Sequence, residues 1–387
     1  MNATDTTTPN ATPVAPSEVA MLCNGDEFYG IGTIIKLYAK GLPDMRFVCF
    51  SDGAMYQWLK ERGADVRVFD GINRFTARGS LSTLMSMPKI KRKARADGER
   101  LHKVLEPLGV KVLHTHRLPQ QLTSGHMRRF GYKTAWQINN NMTRSRMMGI
   151  GQKLNWKMAR WGADILLPAS DFIAANWTGS GVKSVTVRNA AEPLHEMRNV
   201  GSEYPVRCLV AGRIDETKGH HTAIRAVLDA RAKGADVTLD VFGGPLDDND
   251  YADRLRAMIK DAEADASIRL MGFCTDLRER HGDYHLGLQC RIDPEPCSLW
   301  VCETMVDGLP LLASSTGGTP ELIDEGVTGY LYPPADAEAL SALLVKLTDR
   351  PDTLRTMREA AYRRGRESFT LDRFVRETFD AYASVLA

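Results

Sequence analysis

No stretch of the 387-residue chain approaches the roughly 20 consecutive apolar positions that a membrane-spanning helix requires. The opening residues, Met1 to Pro16, are rich in Asn, Thr, Ala and Pro but lack an apolar core. They read as a disordered leader and not as a secretion signal. Cysteine supplies no framework: Cys23, Cys49, Cys208, Cys274, Cys290, Cys297 and Cys302 are odd in number and scattered, mostly through apolar runs. They are expected as reduced core residues of a cytoplasmic protein, where the sequons at Asn141 and Asn176 carry no weight. His114-Thr115-His116 adds no zinc-type ligand spacing, and no metal is expected. No strand pattern is followed by the full Gly-x-Gly-x-x-Gly fingerprint, which argues against a dinucleotide-dependent oxidoreductase. No internal repeat is evident, so solenoids and propellers are excluded.

What is present is a soluble globular composition, 43% apolar and 25% charged, in a chain long enough for two domains. The net charge of +2 hides a split: residues 1–200 hold 28 Lys and Arg against 16 Asp and Glu, whereas 201–387 hold 22 against 32. Such asymmetry suggests that the halves meet different partners, an anionic lipid surface or phosphorylated acceptor for the basic half. No nucleic-acid partner is expected.

Strand-like and helix-like patterns alternate throughout, the signature of α/β, doubly wound parallel sheets. Strands are expected near 19–23, 46–50, 66–69, 110–114, 134–138, 165–168 and 185–187. A second series follows near 206–211, 237–242, 268–271, 286–289, 309–313 and 329–331. A polar connection, Asn189 to Pro205, separates the two series. The expected organisation is a leader at 1–16, a first Rossmann-like domain at 17–190 and a linker at 191–205. A second Rossmann-like domain occupies 206–367, and a terminal helix 368–387.

Chemistry concentrates in the second half. Glu295-Pro296-Cys297-Ser298-Leu299-Trp300-Val301-Cys302-Glu303 places two carboxylates eight positions apart, with a loop turning into a helix between them. Ser298 is the expected N-cap, Leu299 to Met305 the helix, and Asp307-Gly308 before Pro310 its stop. A helix N-terminus leaves amides unpaired and carries partial positive charge, so it suits an anion. Glu295 then lies on the loop ahead of the helix and Glu303 more than one turn inside. Taken alone, the pair is also what an ordinary amphipathic helix with an acid ahead of it would show. The ordered run continues through Gly308-Leu309-Pro310 and Gly317-Gly318-Thr319-Pro320-Glu321. Upstream, Gly212-Arg213-Ile214-Asp215-Glu216-Thr217-Lys218-Gly219 follows the first strand of the second domain, and Gly30-Ile31-Gly32 follows the first strand of the chain.

In that order and spacing the motifs resemble retaining glycosyltransferase family 4, whose members have the two-domain GT-B architecture. The resemblance implies a central cleft between the carboxyl ends of the two sheets and a C-terminal helix that crosses back to the first domain. It implies that Arg213 and Lys218 grip a donor diphosphate, without a metal, and that Glu295 contacts the donor sugar near the reacting centre. Glu303 would accept from the ribose hydroxyls, while Gly30, Gly32, Gly212, Ser298 and Leu299 would line the donor. Two positions depart from the family. Asn139 stands where many members carry a His that touches the sugar; an amide still exchanges hydrogen bonds with a hydroxyl but cannot titrate. Cys297-Ser298 replaces a Phe-Gly or similar pair, which puts donor choice in doubt. His114 and His116 flank the end of the preceding strand, and His116 is the candidate for an acceptor or sugar contact. Asp247-Asp248-Asn249-Asp250 imitates a metal signature of another fold but reads as a solvated loop.

Two basic segments complete the inventory. Met147, Ile150, Leu154, Met158 and Trp161 share one helical face beside Lys153, Lys157 and Arg160. Met85 and Met87 precede Lys89, Lys91, Arg92, Lys93 and Arg95. Such mixtures can lie on anionic lipid at the inner membrane face, or can simply be domain helices with basic outer sides. The expected function is transfer of a hexose from a nucleoside-diphosphate sugar, uridine favoured over guanosine, to a glycan or lipid-linked hydroxyl. The donor is a substrate, and no cofactor is implied. A nucleotide-sugar epimerase and a non-catalytic binding scaffold on the same fold are the alternatives.

Overall fold

Strands short and apolar enough to be buried on both faces build each sheet: all five residues of Val19–Cys23 and all four of Ile165–Pro168 are buried. Only parallel sheets covered on two sides bury strands this way. The computed structural model describes residues 14–27, 30–71, 81–140, 150–194, 196–198 and 205–386, with backbone alone for 81–87 and 150. Residues 1–13 of the expected leader and 199–204 of the expected linker lie outside the described residues. Val14 is buried, and Pro16 opens a short 3-10 turn ahead of the first strand.

The first half runs β1 (Val19–Cys23), α1 (Ile31–Gly41), β2 (Arg46–Cys49), α2 (Ala54–Glu61), β3 (Val66–Val68) and α3 (Leu81–Leu105). It continues with β4 (Val112–Thr115), α4 (Leu118–Met127), β5 (Lys133–Ile138), α5 (Ile150–Gly162), β6 (Ile165–Pro168), α6 (Asp171–Ala175) and β7 (Lys183–Ser184). The second half runs β8 (Val206–Ala211), α7 (His220–Ala232), β9 (Val237–Phe242), α8 (Asp250–Asp261), β10 (Ile268–Gly272) and β11 (Leu286–Gln289). Then follow α9 (Leu299–Val306), β12 (Leu311–Ser314), β13 (Gly329–Tyr332), α10 (Ala337–Thr348), α11 (Pro351–Ser368) and α12 (Leu371–Leu386).

These elements form two compact units. The first takes the described residues of Met1–Ala169 with Ile173–Val187 and Phe374–Ala387; the second takes Ser170–Phe172 and Arg188–Arg373. Each holds one parallel sheet, of order β3-β2-β1-β4-β5-β6-β7 in the first and β10-β9-β8-β11-β12-β13 in the second. Strand order reverses between β1 and β4 and between β8 and β11. Ligands of open α/β sheets gather outside the carboxyl ends of strands at such points.

In the first unit Ala20, Leu22, Val48 and Leu113 pack against Leu101 and Leu105 of α3. In the second, Val206, Val210, Leu239 and Leu288 pack against Ile224 and Val227 of α7 and Leu340 and Leu344 of α10. Each buried Val, Leu or Ile among these contributes ~1.5–3 kcal/mol on leaving water. The expected strand at 185–187 is corrected. The ladder is assigned at Lys183–Ser184, and the amides of Val185 and Val187 still bond to Leu166 and Pro168 (3.0 and 2.9 Å) without an exchanged partner.

Most of α12 belongs to the first unit, where a buried polar chain holds it. His114 Nδ1 meets the Tyr382 hydroxyl at 2.6 Å and Nε2 meets Gln137 Oε1 at 2.9 Å. Tyr38 Oη lies 3.1 Å from Thr378 Oγ1 and donates to the same Gln137 oxygen (3.3 Å). Both ring nitrogens of His114 are thus taken up inside the first unit, a structural role. Burial lowers its pKa to about 3. An unfolded His114 titrates near 6.5, so between 6.5 and about 3 the unfolded chain carries a proton the folded chain refuses. Stability contributed by this group is complete above that window and is lost as pH falls through it. Urea titrations at several pH values should show a steeper loss below pH 6.5 in the wild type than in His114→Asn. At neutral pH, Tyr382→Phe should cost ~1–3 kcal/mol by leaving Nδ1 without its partner.

Candidate functional site

In the second unit, the loops after β8 and β11 are drawn together by the Ile292 amide, which donates to the Thr217 carbonyl at 2.9 Å. Asp215 accepts from the Thr217 amide at 3.1 Å and so starts the 3-10 turn Glu216–Lys218. This turn fixes Lys218, whose Nζ lies 3.6 Å from Glu295 Oε2. Gly212 lies against the lysine stem, where a Cβ would make only ordinary contact with Lys218 Cδ at 3.4 Å. Arg213, largely exposed, pairs with Asp215 at 3.2 Å. The same Glu295 oxygen takes Arg291 Nη1 at 2.8 Å, and Arg291 Nε lies 3.0 Å from Asp293. Burial pulls the Lys218 ammonium below its ordinary pKa; Glu295 opposes that pull and Arg291 adds to it. Lys218 and Glu295 thus meet, while Arg213, paired with Asp215, is near enough to act on the Lys218 charge. Sequence reasoning missed Arg291, although Arg291-Ile292-Asp293-Pro294-Glu295 sets a cation four residues ahead of the carboxylate.

The Glu295 loop is pinned from behind by the Gly317-Gly318 turn. Gly318 donates to the Glu295 carbonyl at 2.8 Å, and a Cβ on Gly317 (φ +62°) would stand 2.1 Å from that same oxygen. Asn189 Nδ2 donates to the Cys297 carbonyl at 2.8 Å. Ser298 is the N-cap, its hydroxyl accepting from Val301 N at 3.4 Å; it is buried, and its side chain is committed to the helix. Leu299 is half-buried at the first helical position. Among the described residues no hydrogen bond takes up the amides of Leu299 and Trp300. Glu321 is engaged elsewhere, accepting from the amides of Asp171 and Phe172 (2.9 and 2.7 Å) and pairing with Arg188 at 3.0 Å. Asp247–Asp250 leads into α8, with Asn249 capping the amides of Tyr251 and Ala252.

Glu303 stands apart from that cluster, in the second turn of α9. Burial, reinforced by the Asp307 carboxylate and opposed by Arg278, lifts its pKa to about 7. Asp307 is wholly buried and accepts from Arg278 Nη2 (2.8 Å), with His281 Nδ1 at 3.0 Å. The Glu303 carboxylate takes no hydrogen bond or ion pair among the described residues. An acid left half-buried and unpaired keeps both oxygens open to hydroxyl donors once it ionises.

In the first unit, a Cβ on Gly30, ahead of α1, would meet nothing within 4 Å. Gly32 has a packing reason instead, since a Cβ there would come within 2.8 Å of the Glu27 carbonyl. His116 and Asn139 follow β4 and β5 and meet each other, Asn139 Nδ2 lying 3.2 Å from His116 Nδ1. An amide nitrogen only donates, so Nδ1 accepts and the proton resides on Nε2. Both Nε2 and Asn139 Oδ1 are buried without a partner. Burial, with His114 and Arg117 adding to it, drives the His116 pKa well below its ordinary value. One orphan donor beside one orphan acceptor is the complement of a hydroxyl group.

Residues 198–364 match the family model described as glycosyl transferases group 1. The amylovoran biosynthesis glycosyltransferase AmsK of Erwinia amylovora is 29% identical over 151 residues, 37% of this chain and 36% of that protein. The D-inositol 3-phosphate glycosyltransferase of Streptomyces coelicolor is 29% identical over 189 residues, 46% of this chain and 40% of that protein. The chain spans about half or less of the curated relatives it matches. The crystal structure of Anabaena HepE in complex with UDP has a TM-score of 0.78 at 15% identity, covering 95% of this chain and 100% of that one. The lipopolysaccharide outer core galactosyltransferase WaaB gives 0.68 at 16% identity, covering 95% and 99%. These neighbours show the architecture: two parallel-sheet Rossmann-like domains of the GT-B kind.

Gly317→Ala should displace the Glu295 loop. The strained, left-handed position should cost ~1–3 kcal/mol in thermal or urea unfolding. A shift of the loop by about an ångström should lower any turnover that depends on Glu295 by ~100-fold.

Proposed function

We propose that the chain transfers a hexose from a nucleoside-diphosphate sugar to a hydroxyl of a glycan or lipid-linked acceptor, with retention of anomeric configuration. The observation that carries this reading is the Lys218–Glu295–Arg291 cluster outside the β8/β11 switch point, just ahead of α9 and inside the stretch that matches group 1 glycosyl transferases. A departing diphosphate gathers negative charge as the glycosidic bond breaks. Fixed cations that need no rearrangement stabilise it best. In this proposal Arg213 and Lys218 meet that charge, with the open amides of Leu299 and Trp300 beside them, and no metal is invoked.

Glu295 orients the sugar and stabilises developing oxocarbenium charge. Its ion pairs hold both Lys218 and Arg291 in place before the donor arrives. Glu303 accepts from the ribose hydroxyls. The acceptor attacks the face that the leaving group vacates, and a phosphate oxygen of the departing diphosphate takes its proton, so no enzymic nucleophile forms. His116 and Asn139 offer a donor and an acceptor to a sugar hydroxyl. A uridine donor is favoured, as the solved neighbour HepE is described with UDP-glucose at a TM-score of 0.75. The names of the relatives, AmsK above all, support a polysaccharide or glycolipid product.

Transfer and donor hydrolysis measured against uridine- and guanosine-diphosphate sugars test the reading. Arg213→Ala and Lys218→Ala should each lower turnover by ~100-fold or more; near-normal rates in both would overturn it. Titration calorimetry with uridine diphosphate should show affinity rising as pH climbs through about 7, because only the ionised Glu303 accepts from both ribose hydroxyls. Glu303→Gln should flatten that rise.

A further inference from the structure

The outer helices of the first unit carry cations that have no ion-pair partner among the described residues. Lys89, Lys91, Arg92 and Lys93 on α3 and Lys153, Lys157 and Arg160 on α5 are all exposed, and none enters an ion pair among the described residues. On the same side of α3, Glu99 is taken up by Arg95 at 3.4 Å and Arg129 at 2.5 Å. Surface lysines on ordinary domain helices are usually interspersed with acids; seven unpaired cations on two neighbouring helices are a local field.

Two of these cations, Lys91 and Lys157, line a recess. A cavity of about 280 Å³ opens between α3, α4 and α5, with Lys91 and Lys157 in its lining and Leu122, Leu154, Met158 and Trp161 as its apolar walls. Leu154 and Trp161 remain 42% and 39% exposed, costly for large apolar groups unless something covers them. His126 completes the wall, its Nε2 buried without a hydrogen-bond partner. Burial, with Arg129, Arg95 and Lys91 adding to it, lowers the His126 pKa, so the wall stays uncharged while the rim is cationic. Met85, Met87, Met147 and the Ile150 side chain lie outside the described residues.

We propose that this recess is a binding site for an anionic membrane lipid, its phosphate between Lys91 and Lys157 and the start of an acyl chain against Leu154, Met158 and Trp161. An apolar pocket with two lysines in its lining matches an amphiphile with a charged head, and an exposed Trp beside lysines is what peripheral proteins place at a headgroup boundary. A soluble phosphate would use the cations but leave the apolar wall in water. The lipid site is independent of the transferase chemistry, since none of these residues belongs to the cluster around Glu295.

The full chain is sedimented with phosphatidylcholine vesicles, with and without phosphatidylglycerol. Binding is expected only with the anionic lipid. Lys91→Gln combined with Lys157→Gln should weaken it by ~10–30-fold, since each lysine near an anionic surface is worth about 1 kcal/mol. Lys60→Gln combined with Lys233→Gln makes the same charge change elsewhere and should leave binding intact. Leu154→Ser should weaken it with no change of charge, and Trp161 emission should be quenched by brominated acyl chains. Equal sedimentation with neutral and anionic vesicles would overturn the proposal. So would equal losses in the two lysine pairs, which would mean diffuse attraction. Unimpaired binding in Leu154→Ser, with glycerol phosphate as an effective competitor, would overturn it too, leaving a phosphate site without a lipid.

Discussion

A buried ammonium persists only beside an anion, and Lys218 is held beside Glu295, the carboxylate that also receives Arg291. Much of the local structure of the second unit serves this one arrangement. The turn that Asp215 begins delivers the lysine, the loop after β11 delivers the arginine, and the Gly317-Gly318 turn supports the carboxylate from behind. Such an ion cluster is a poor source of stability, because removing charges from water costs about as much as their attraction returns. Its value lies in position. Positive groups fixed in advance, in a half-buried place, act on a forming anion without first reorganising water.

The two acids of the Glu295–Glu303 run show how the environment separates residues of one type. Glu295 sits between two cations, Lys218 and Arg291, and pairs with both. Glu303, two turns further on, has burial and Asp307 against it and only the pull of Arg278 in its favour. Arg278 is itself committed to Asp307 through two hydrogen bonds. Burial is the largest cause and Arg278 does not offset it, so the pKa of Glu303, four residues from a fully paired Asp307, is lifted to about 7.

Most of the framework was legible because its period and its burial agree. Ile165–Pro168, Val206–Ala211, Val237–Phe242 and Leu286–Gln289 are apolar runs bounded by turn residues, and the observed strands begin and end on them. The cap at Ser298 was legible for the same local reason, a hydroxyl ahead of an apolar helix. Long-range partners were not. Nothing near His114 in the sequence announces Tyr382, which lies 268 positions away, and His114 and His116 look alike until α12 claims the first. The pairing of His116 with Asn139 depends on β4 and β5 being neighbours, which alternation of elements suggests but cannot fix. Gly32 was read for ligand approach, but its backbone contact is with Glu27. The strand near 185–187 failed because an edge segment can keep its amide bonds without completing a ladder.

The two basic regions of the molecule obey different rules, and the difference is informative. In the second unit Arg213, Lys218 and Arg291 each have a carboxylate within ion-pair distance, so they are poised without being free. On α3 and α5 the exposed cations around the recess lack such partners among the described residues, and two of them, Lys91 and Lys157, line it. Paired cations around a small anion favour geometry: they are held still so that charge developing at one atom meets them at a fixed distance. Unpaired cations favour reach, because flexible lysines on a curved surface can follow a headgroup that diffuses in two dimensions. The surplus of 28 bases over 16 acids in residues 1–200 is therefore not spread evenly as a solubility device. Part of it is concentrated where two helices meet, beside exposed Leu154 and Trp161, and like charges held so close repel one another at a cost to the folded state.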